Sequence, residues 1–593
     1  MSRSRSVGAI AAILVALGFV AELHPAGAAE PKVLTQARAA PFTSLDPQAQ
    51  FEQTAADLTL VLYDTLLAYS YLERPYKLEP ALLSRMPELS PDKLTYTLTL
   101  RKGVVFHDNP CFPGGKGREL TSDDVLYTLK RYADANVNHK SWFALEGSVA
   151  GLDDFHAATI KAGASPDYAR IDITGLKKID RYTLTVRLTH ENPLFLYSLA
   201  INSLGIVPVE AVQFHGARFD VNPVGTGPFT LQGPVERKGV LRLLKNPNYF
   251  RVYPTVGAPG DAERGLLKAA GKRLPIVDVV EMPLIEESQP ESLKFLKGEI
   301  DWRVIDRANF TRMVVRNADG TTRLADEFAA KFDLYSTPGL DMYYLAFNLK
   351  DPLLGKNKKL RQALAHLVDT QAYIDVLLNG RGSKLNSIVP HELPGNERET
   401  GARARGRDLA AAKRLLAEAG YAEGKGLPPL AVSFPSTIAA THDRFAQMKA
   451  KFAEAGVQIT PVFMDGPAFV KNVEGSNFQL AEYNWLADYP DPEDFFQLLY
   501  SKNAAPGPNL SSFVNPAYDQ AYEASRYMAN GPERLRYFKA MNAIIDEEVP
   551  VVVEFNSMRF GLTQKWMSNF KRNLLASELP YIDIDMARKK KGL

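Results

Sequence analysis

Nine consecutive residues, Asn484 to Pro492 (NWLADYPDP), carry the densest concentration of recognition chemistry in the chain. They offer an indole at Trp485, a carboxylate at Asp488 and a phenol at Tyr489. A carboxylate beside aromatic faces suits an ammonium group, because both the ion pair and the ring quadrupole attract a cation. The same residues also suit an aromatic packing cluster in which Asp488 caps the next turn. Local chemistry does not separate the two. The elements that must position them are clearer. Phe478 to Tyr483 reads as a strand, Pro490 and Pro492 set a turn, and a helix is expected from Glu493 to Tyr500. In α/β sheets, a strand end running into such a turn is a usual place for ligand-binding groups.

Catalytic patterns are weak by comparison. Gly225-Thr226-Gly227 lacks the third glycine of a dinucleotide fingerprint, and Gly115-Lys116 is followed by Gly117 rather than by the Ser or Thr of a phosphate loop. His391-Glu392 has no second histidine at ligand spacing, and none of the nine histidines forms a convincing pair. The single cysteine, Cys111, sits in a Gly/Pro-rich loop without a neighbouring histidine and reads as an incidental thiol. Asp123-Asp124 and Glu286-Glu287 read as capping or solvated acids. No catalytic residue, metal site or cofactor is expected, and the chain is not expected to be an enzyme. A formal charge of +2 spread over 593 residues argues against nucleic acid.

That length exceeds what one core supports, so several domains are expected. At the N-terminus, Arg3 and Arg5 precede the apolar run Val7 to Val20 and the small residues Ala26-Gly27-Ala28-Ala29. This predicts a signal peptide over 1–28, cut after Ala28, against the alternative of a retained anchor. No cysteine lies at that cleavage site to carry a lipid. A helix is expected over Thr54–Leu67 from Leu58, Val61, Leu62 and Thr65, and strands over Leu94–Leu100, Thr183–Leu188, Val277–Ile285 and Gly339–Asn348. Thr121 should cap a helix whose stripe is Val125, Leu129 and Tyr132. Further on, Asp408 caps a helix ended by Gly420; a strand through Leu430, Val432 and Phe434 follows. A helix through Phe445, Met448 and Phe452, ended by Gly456, then leads to a strand at Val457–Ile459. This alternation predicts an α/β domain.

Several stretches in order resemble the peptide/nickel class of extracellular solute-binding proteins, family 5, the periplasmic receptors of ABC importers. They are SLDP (Ser44 to Pro47), LYDTLL (Leu62 to Leu67), YTLTLRKGVVFHD (Tyr96 to Asp108), LTSDDVLYTLKR (Leu120 to Arg131) and NPVGTGPF (Asn222 to Phe229). YYLAFNL (Tyr343 to Leu349), LRQALAHLVDTQAYI (Leu360 to Ile374) and WLADYPDP complete the series. The resemblance implies a type II periplasmic-binding-protein fold in its large three-domain form, two lobes closing on a central cleft. Domain I would comprise 29–64, 207–340 and 556–593, domain II 65–206, and domain III 341–555.

By the same resemblance, Asp488 would pair with a ligand ammonium. Asn484, Trp485 and Leu486 would run beside the ligand, with Tyr489 adjoining. Phe51, Glu52 and Gln53 would face them from domain I, and Tyr344 would lie near the cleft. The Asn222–Phe229 loop is read as structural, its glycines making a tight turn. Partners would be a small-molecule or peptide ligand and the permease subunits, the receptor itself being a periplasmic monomer. An exported α/β hydrolase and a periplasmic ligand sensor are the alternatives. Segments 109–117 and 251–272 depart from the family pattern, with no role legible in them.

Overall fold

The computed structural model describes residues 30–592 except 51, 138–141, 234, 318–320 and 402–405. The expected signal peptide and Phe51 therefore lie outside the described residues.

The Asp408 to Phe463 series folds as the alternation predicts. The Asp408 carboxylate accepts the Ala411 N–H at 2.9 Å and starts the helix Leu409–Glu418. Strand Leu430–Phe434, helix Ala439–Ala453 and strand Ile459–Phe463 follow. The two strands pair in parallel, which requires the intervening crossover. They extend a mixed sheet of eight strands, next to Leu480–Leu486, Asp341–Phe347 and the 14-residue strand Val551–Gln564. Both faces of this sheet are covered. Leu345 and Phe347 pack on one side with Leu415, Leu416, Met448 and Phe452. Met342, Tyr344 and Ala346 pack on the other with Phe495, Phe496, Tyr518 and Phe538.

The long strand joins two parts of the molecule. Its first half pairs with Asp341–Phe347 and its second half with Phe332–Pro338 and Trp302–Val304. Where the partners change, Gly339 N–H donates to the Ser557 carbonyl (2.7 Å), and the Asp341 carboxylate accepts from Ser557 N–H and Oγ at 2.7 and 2.6 Å. A separate four-stranded sheet runs Val33–Thr35, Val279–Met282, Leu241–Lys245, Phe229–Leu231. Another, Glu88–Leu89, Thr95–Thr99, Thr183–Arg187, Leu176–Lys178, lies wholly between residues 65 and 206.

Two expectations need correction. The first helix spans Gln53–Leu62, not Thr54–Leu67, and Leu67–Tyr69 is a strand. The Leu62 carbonyl accepts the Gly227 N–H at 3.1 Å instead of continuing the helix. Gly225 and Gly227 are also not tight-turn residues: no hydrogen-bonded turn closes over 222–228, and neither glycine has a positive φ. They are required because a Cβ on Gly225 would lie 2.2 Å from the Leu62 oxygen, and one on Gly227 2.5 Å from the Leu62 carbonyl carbon. The loop is structural through close approach. His107 clamps it, its backbone N–H donating to the Gly225 carbonyl (2.8 Å) and its Nε2 lying 2.9 Å from the Gly227 carbonyl. Burial lowers the pKa of this histidine to about 4, so it is neutral at physiological pH.

The two departing segments are packed. Phe112 stacks on Phe106 at 6.0 Å between ring centroids. Tyr253, Leu266 and Ala269 share a core with Tyr71, Tyr249 and Tyr581.

Candidate functional site

Strand Leu480–Leu486 is antiparallel to Asp341–Phe347, with Asn484 opposite Tyr343, Trp485 opposite Met342 and Leu486 opposite Asp341. Alternation then divides the side chains. Tyr483 and Trp485 lie on the face of Tyr344, where Tyr483 stacks on Phe469 at 5.7 Å. Asn484 and Leu486 point to the opposite face and are exposed. Tyr344 is 3 % exposed and packs edge-on against Tyr483, so it belongs to the core beneath this strand. Its neighbour Tyr343 faces the other way and stacks on Phe555 at 4.5 Å.

The turn after the strand holds four acids, Asp488, Asp491, Glu493 and Asp494, and three are committed within the protein. Asp491 receives both terminal nitrogens of the Arg534 guanidinium at 2.6 and 2.8 Å and accepts the Glu493 N–H at 2.9 Å. Glu493 accepts the hydroxyls of Tyr489 and Tyr522. Asp494 is fully buried and accepts Trp485 Nε1–H and the Asp488 N–H, each at 3.1 Å, and Gln497 Nε2–H at 3.0 Å. The turn is thus tied by Asp491 and Asp494.

The Asp488 carboxylate caps nothing. It has no hydrogen-bond partner and no counter-ion among the described residues. The residue is exposed, and the part of its hydration that the neighbouring protein withdraws raises its pKa to about 6. Burial, and then the Asp488 charge, push Asp494 well above the usual carboxylate range. Two carboxyls so placed are short of positive charge. An arriving cation would relieve both.

An aromatic series adjoins them. Tyr489 spends its hydroxyl on Glu493 and presents its ring to Tyr197, stacked at 5.7 Å and 13°. Tyr197 stacks in turn on Tyr69 at 6.5 Å. Burial, then Tyr197, then the Asp494 charge raise the Tyr69 phenol. Sequence reasoning missed Asp494, Tyr69 and Tyr197. The density of acids in DYPDPED was a signal for the first, and no local pattern marks the other two. Glu52 is turned to Thr43, with Oε2 accepting from Oγ1 at 2.7 Å, and Gln53 donates to Asp57 at 2.7 Å. No hydrogen bond or ion pair joins either to Asn484–Tyr489 among the described residues. Of the residues expected at the site, the structure brings Trp485, Asp488 and Tyr489 together at one strand end and turn.

Among the described residues, no group of three or more His, Cys, Asp or Glu side chains is arranged for a metal ion. No helix there is long and apolar enough to cross a membrane.

Residues 77–507 match the family model described as bacterial extracellular solute-binding proteins, family 5 Middle. The dipeptide-binding protein of Escherichia coli K12 is 26% identical over 496 residues, covering 82% of each chain. The heme-binding protein A of Haemophilus influenzae is 25% identical over 496 residues, covering 82% of this chain and 80% of its own. Among solved structures, HbpA2 from Haemophilus parasuis superposes with a TM-score of 0.73 at 22% identity, over 93% of this chain and 100% of that one.

Proposed function

The chain belongs to the bacterial extracellular solute-binding proteins of family 5 and has their type II fold, and from that premise we propose that it delivers an amine-bearing cargo, a peptide above all, to an ABC importer. One observation carries the choice of cargo. Of the four acids in the turn Asp488–Asp494, only the Asp488 carboxylate lacks a partner, and it stands exposed and partly desolvated at a turn that also carries Trp485 and Tyr489. An α-ammonium supplies the missing positive charge. The carboxylate returns an ion pair, and the aromatic rings add the attraction of their faces. The name of the E. coli relative agrees with a peptide. In this reading Asn484 and Leu486, exposed on the strand leading to Asp488, line the cargo's path.

The same reading divides the chain into lobes at 29–64, 207–340 and 556–593, at 65–206, and at 341–555. The separate sheets support it. So does the long strand Val551–Gln564, which changes partners at Ser557, close to the 340 and 555 boundaries. The protein would bind its cargo without chemistry. Met1 to Ala28 would be removed on export, leaving a periplasmic protein that starts at Ala29 with no lipid; mass determination of the mature N-terminus checks this.

The test is native mass spectrometry of the purified protein to identify retained cargo, followed by calorimetric titration of wild type and Asp488→Asn. Asparagine keeps the shape and removes the charge. Losing a desolvated ion pair should weaken an amine-bearing cargo by roughly two decades in Kd or more. Equal affinities would remove Asp488 from the site. A retained cargo without an amine would sink the peptide reading and spare the receptor. Conversion of the cargo into products would sink the receptor.

A further inference from the structure

The helix Ser122–Ala133 has two apolar stripes where a surface helix needs one. Val125, Leu129 and Tyr132 are buried in the core. Leu126 and Tyr127, on the other side with Lys130, touch the edge of that core but remain only half-buried, so part of their apolar surface is left uncovered. Positions 126, 127 and 130 share a face by the three- and four-residue spacing of a helix. That face lines a cavity of about 650 Å³. Helix Val209–His215 closes it from a second side with Val212 and Gln213, at matching spacing. The segment around Tyr168 closes a third. The cavity shares no lining residue with the site around Asp488.

Its walls and polar groups are specific. The Tyr127 and Tyr168 rings meet edge to face, 5.5 Å apart. Most charged lining groups are already satisfied. Arg131 is paired with Asp46 at 2.6 Å, Asp123 with Lys178 at 2.7 Å, and the Tyr168 hydroxyl donates to Asp134 at 2.7 Å. Asp167, the remaining lining acid, is paired with Arg170 at 3.1 Å, which leaves one cation, Lys130, and two neutral groups able to donate. Lys130 Nζ donates to the carbonyls of Tyr168 (3.0 Å) and Ile171 (2.6 Å), which leaves the third of its three N–H groups. The Tyr127 hydroxyl and the Gln213 amide have no partner among the described residues. A cavity of this volume, apolar and aromatic with a few convergent polar groups, has the character of a small-molecule site.

We propose that this cavity, between helices Ser122–Ala133 and Val209–His215, is a second ligand site that takes an aromatic or branched organic anion. The apolar body would lie against Leu126, Tyr127 and Val212. The carboxylate would accept from Lys130 and the Tyr127 hydroxyl. Such a ligand would bind whether or not the cleft is filled, so the inference stands apart from the peptide reading.

The probe is naphthoate, with the neutral naphthamide as its isostere, titrated into the full-length protein and followed by calorimetry. Wild type should bind naphthoate at least tenfold more tightly than naphthamide. Lys130→Met should remove about tenfold or more of the naphthoate affinity, since a hydrogen bond to a charged group is lost. Leu126→Trp, which fills the cavity from its wall, should abolish binding of both probes, and Asp488→Asn should leave both unchanged. Circular dichroism shows whether each variant folds; should Lys130→Met not fold, Leu126→Trp and the anion-to-amide ratio decide. Absence of naphthoate binding to wild type at millimolar concentration would overturn the proposal. So would affinities indifferent to Leu126→Trp, or a loss caused by Asp488→Asn.

Discussion

Asp488 and Asp491 stand in the same turn, and the fold treats them in opposite ways. Asp491 is 2% exposed and faces the equally buried guanidinium of Arg534, fork to fork. Asp488 lies at the edge of the cluster with no counter-ion among the described residues, and desolvation holds its pKa at about 6. A charge whose geometry is answered inside the protein is spent on structure. A charge that is desolvated and left unanswered is a cost to the folded state, tolerable where a ligand makes use of it. One short turn thus holds three acids that build it and one, Asp488, that the protein leaves unpaired and that we propose for recognition.

The largest effect should come from the committed pair. Arg534→Met leaves Asp491 buried without its cation, and breaking one side of a buried ion pair costs about 3–5 kcal/mol. Urea unfolding should show that loss. The double variant Arg534→Met with Asp491→Leu should recover much of it, because neither charge then remains buried. A single-variant loss below about 1 kcal/mol would mean that Asp491 is no better held than Asp488.

The glycines of the Asn222–Phe229 loop are the uncharged counterpart of such commitment. Gly227→Ala forces a methyl onto the backbone of Val61 and Leu62, at 2.5 Å, and should cost about 1–3 kcal/mol. Gly466, which has open space where a Cβ would go, is the control and should accept alanine with no loss. Equal tolerance at both positions would show that the loop can recede from the helix Gln53–Leu62.

A smaller effect sharpens the role of Asp488. Pairing with an ammonium requires its ionised form. Below pH 6 the free carboxyl is increasingly protonated, and a cargo must displace that proton. Affinity for an amine-bearing cargo should therefore fall as pH drops through 6, by at most about tenfold per pH unit. Calorimetric titrations at pH 7 and pH 5 check this, and Asp488→Asn should flatten the difference. A wild-type affinity that does not change between them would break the link between the carboxylate and the cargo.

How legible this was in the sequence depended on distance along the chain. Strand Leu480–Leu486 and the helical start at Glu493 lay close to expectation, because alternation and the prolines Pro490 and Pro492 act locally. The strand begins later than Phe478 and runs on to Leu486, since its length is fixed by pairing with Asp341–Phe347. Which of Tyr343 and Tyr344 faces the core could not be read, as two adjacent tyrosines satisfy either register. The stacking of Tyr489 on Tyr197, 292 residues away, had no local signal at all. The early end of the first helix has the same cause. The residue that stops it, Gly227, is remote in sequence, while the residues after Leu62 still fit a helical period.

The smallest predicted effect is the one that tests the comparison most directly, because its sign is opposite to intuition. Replacing a charged residue near a fold's core usually destabilises, and Arg534→Met should do so. Asp488→Asn should not. The carboxyl has a folded pKa of about 6 against an ordinary value of 3.8, so the folded state binds its proton more tightly than the unfolded chain does. That contribution to stability is fully present below about pH 4. It is lost as pH rises through 6, where the folded protein must carry the charge. Asparagine carries no charge at any pH, and it also removes the repulsion that raises Asp494. Relative to the variant, wild type should therefore decline between pH 4 and pH 6 and stay lower above it. Because solvent reaches Asp488, the gap at pH 7 should amount to only about 0.5 kcal/mol, within the range of surface substitutions. Chemical denaturation of both proteins from pH 4 to pH 8, without cargo, measures it. Should Asp488→Asn instead be less stable than wild type by about 1 kcal/mol at pH 7, Asp488 would have a partner in the folded protein and would belong with Asp491 among the acids that build the turn.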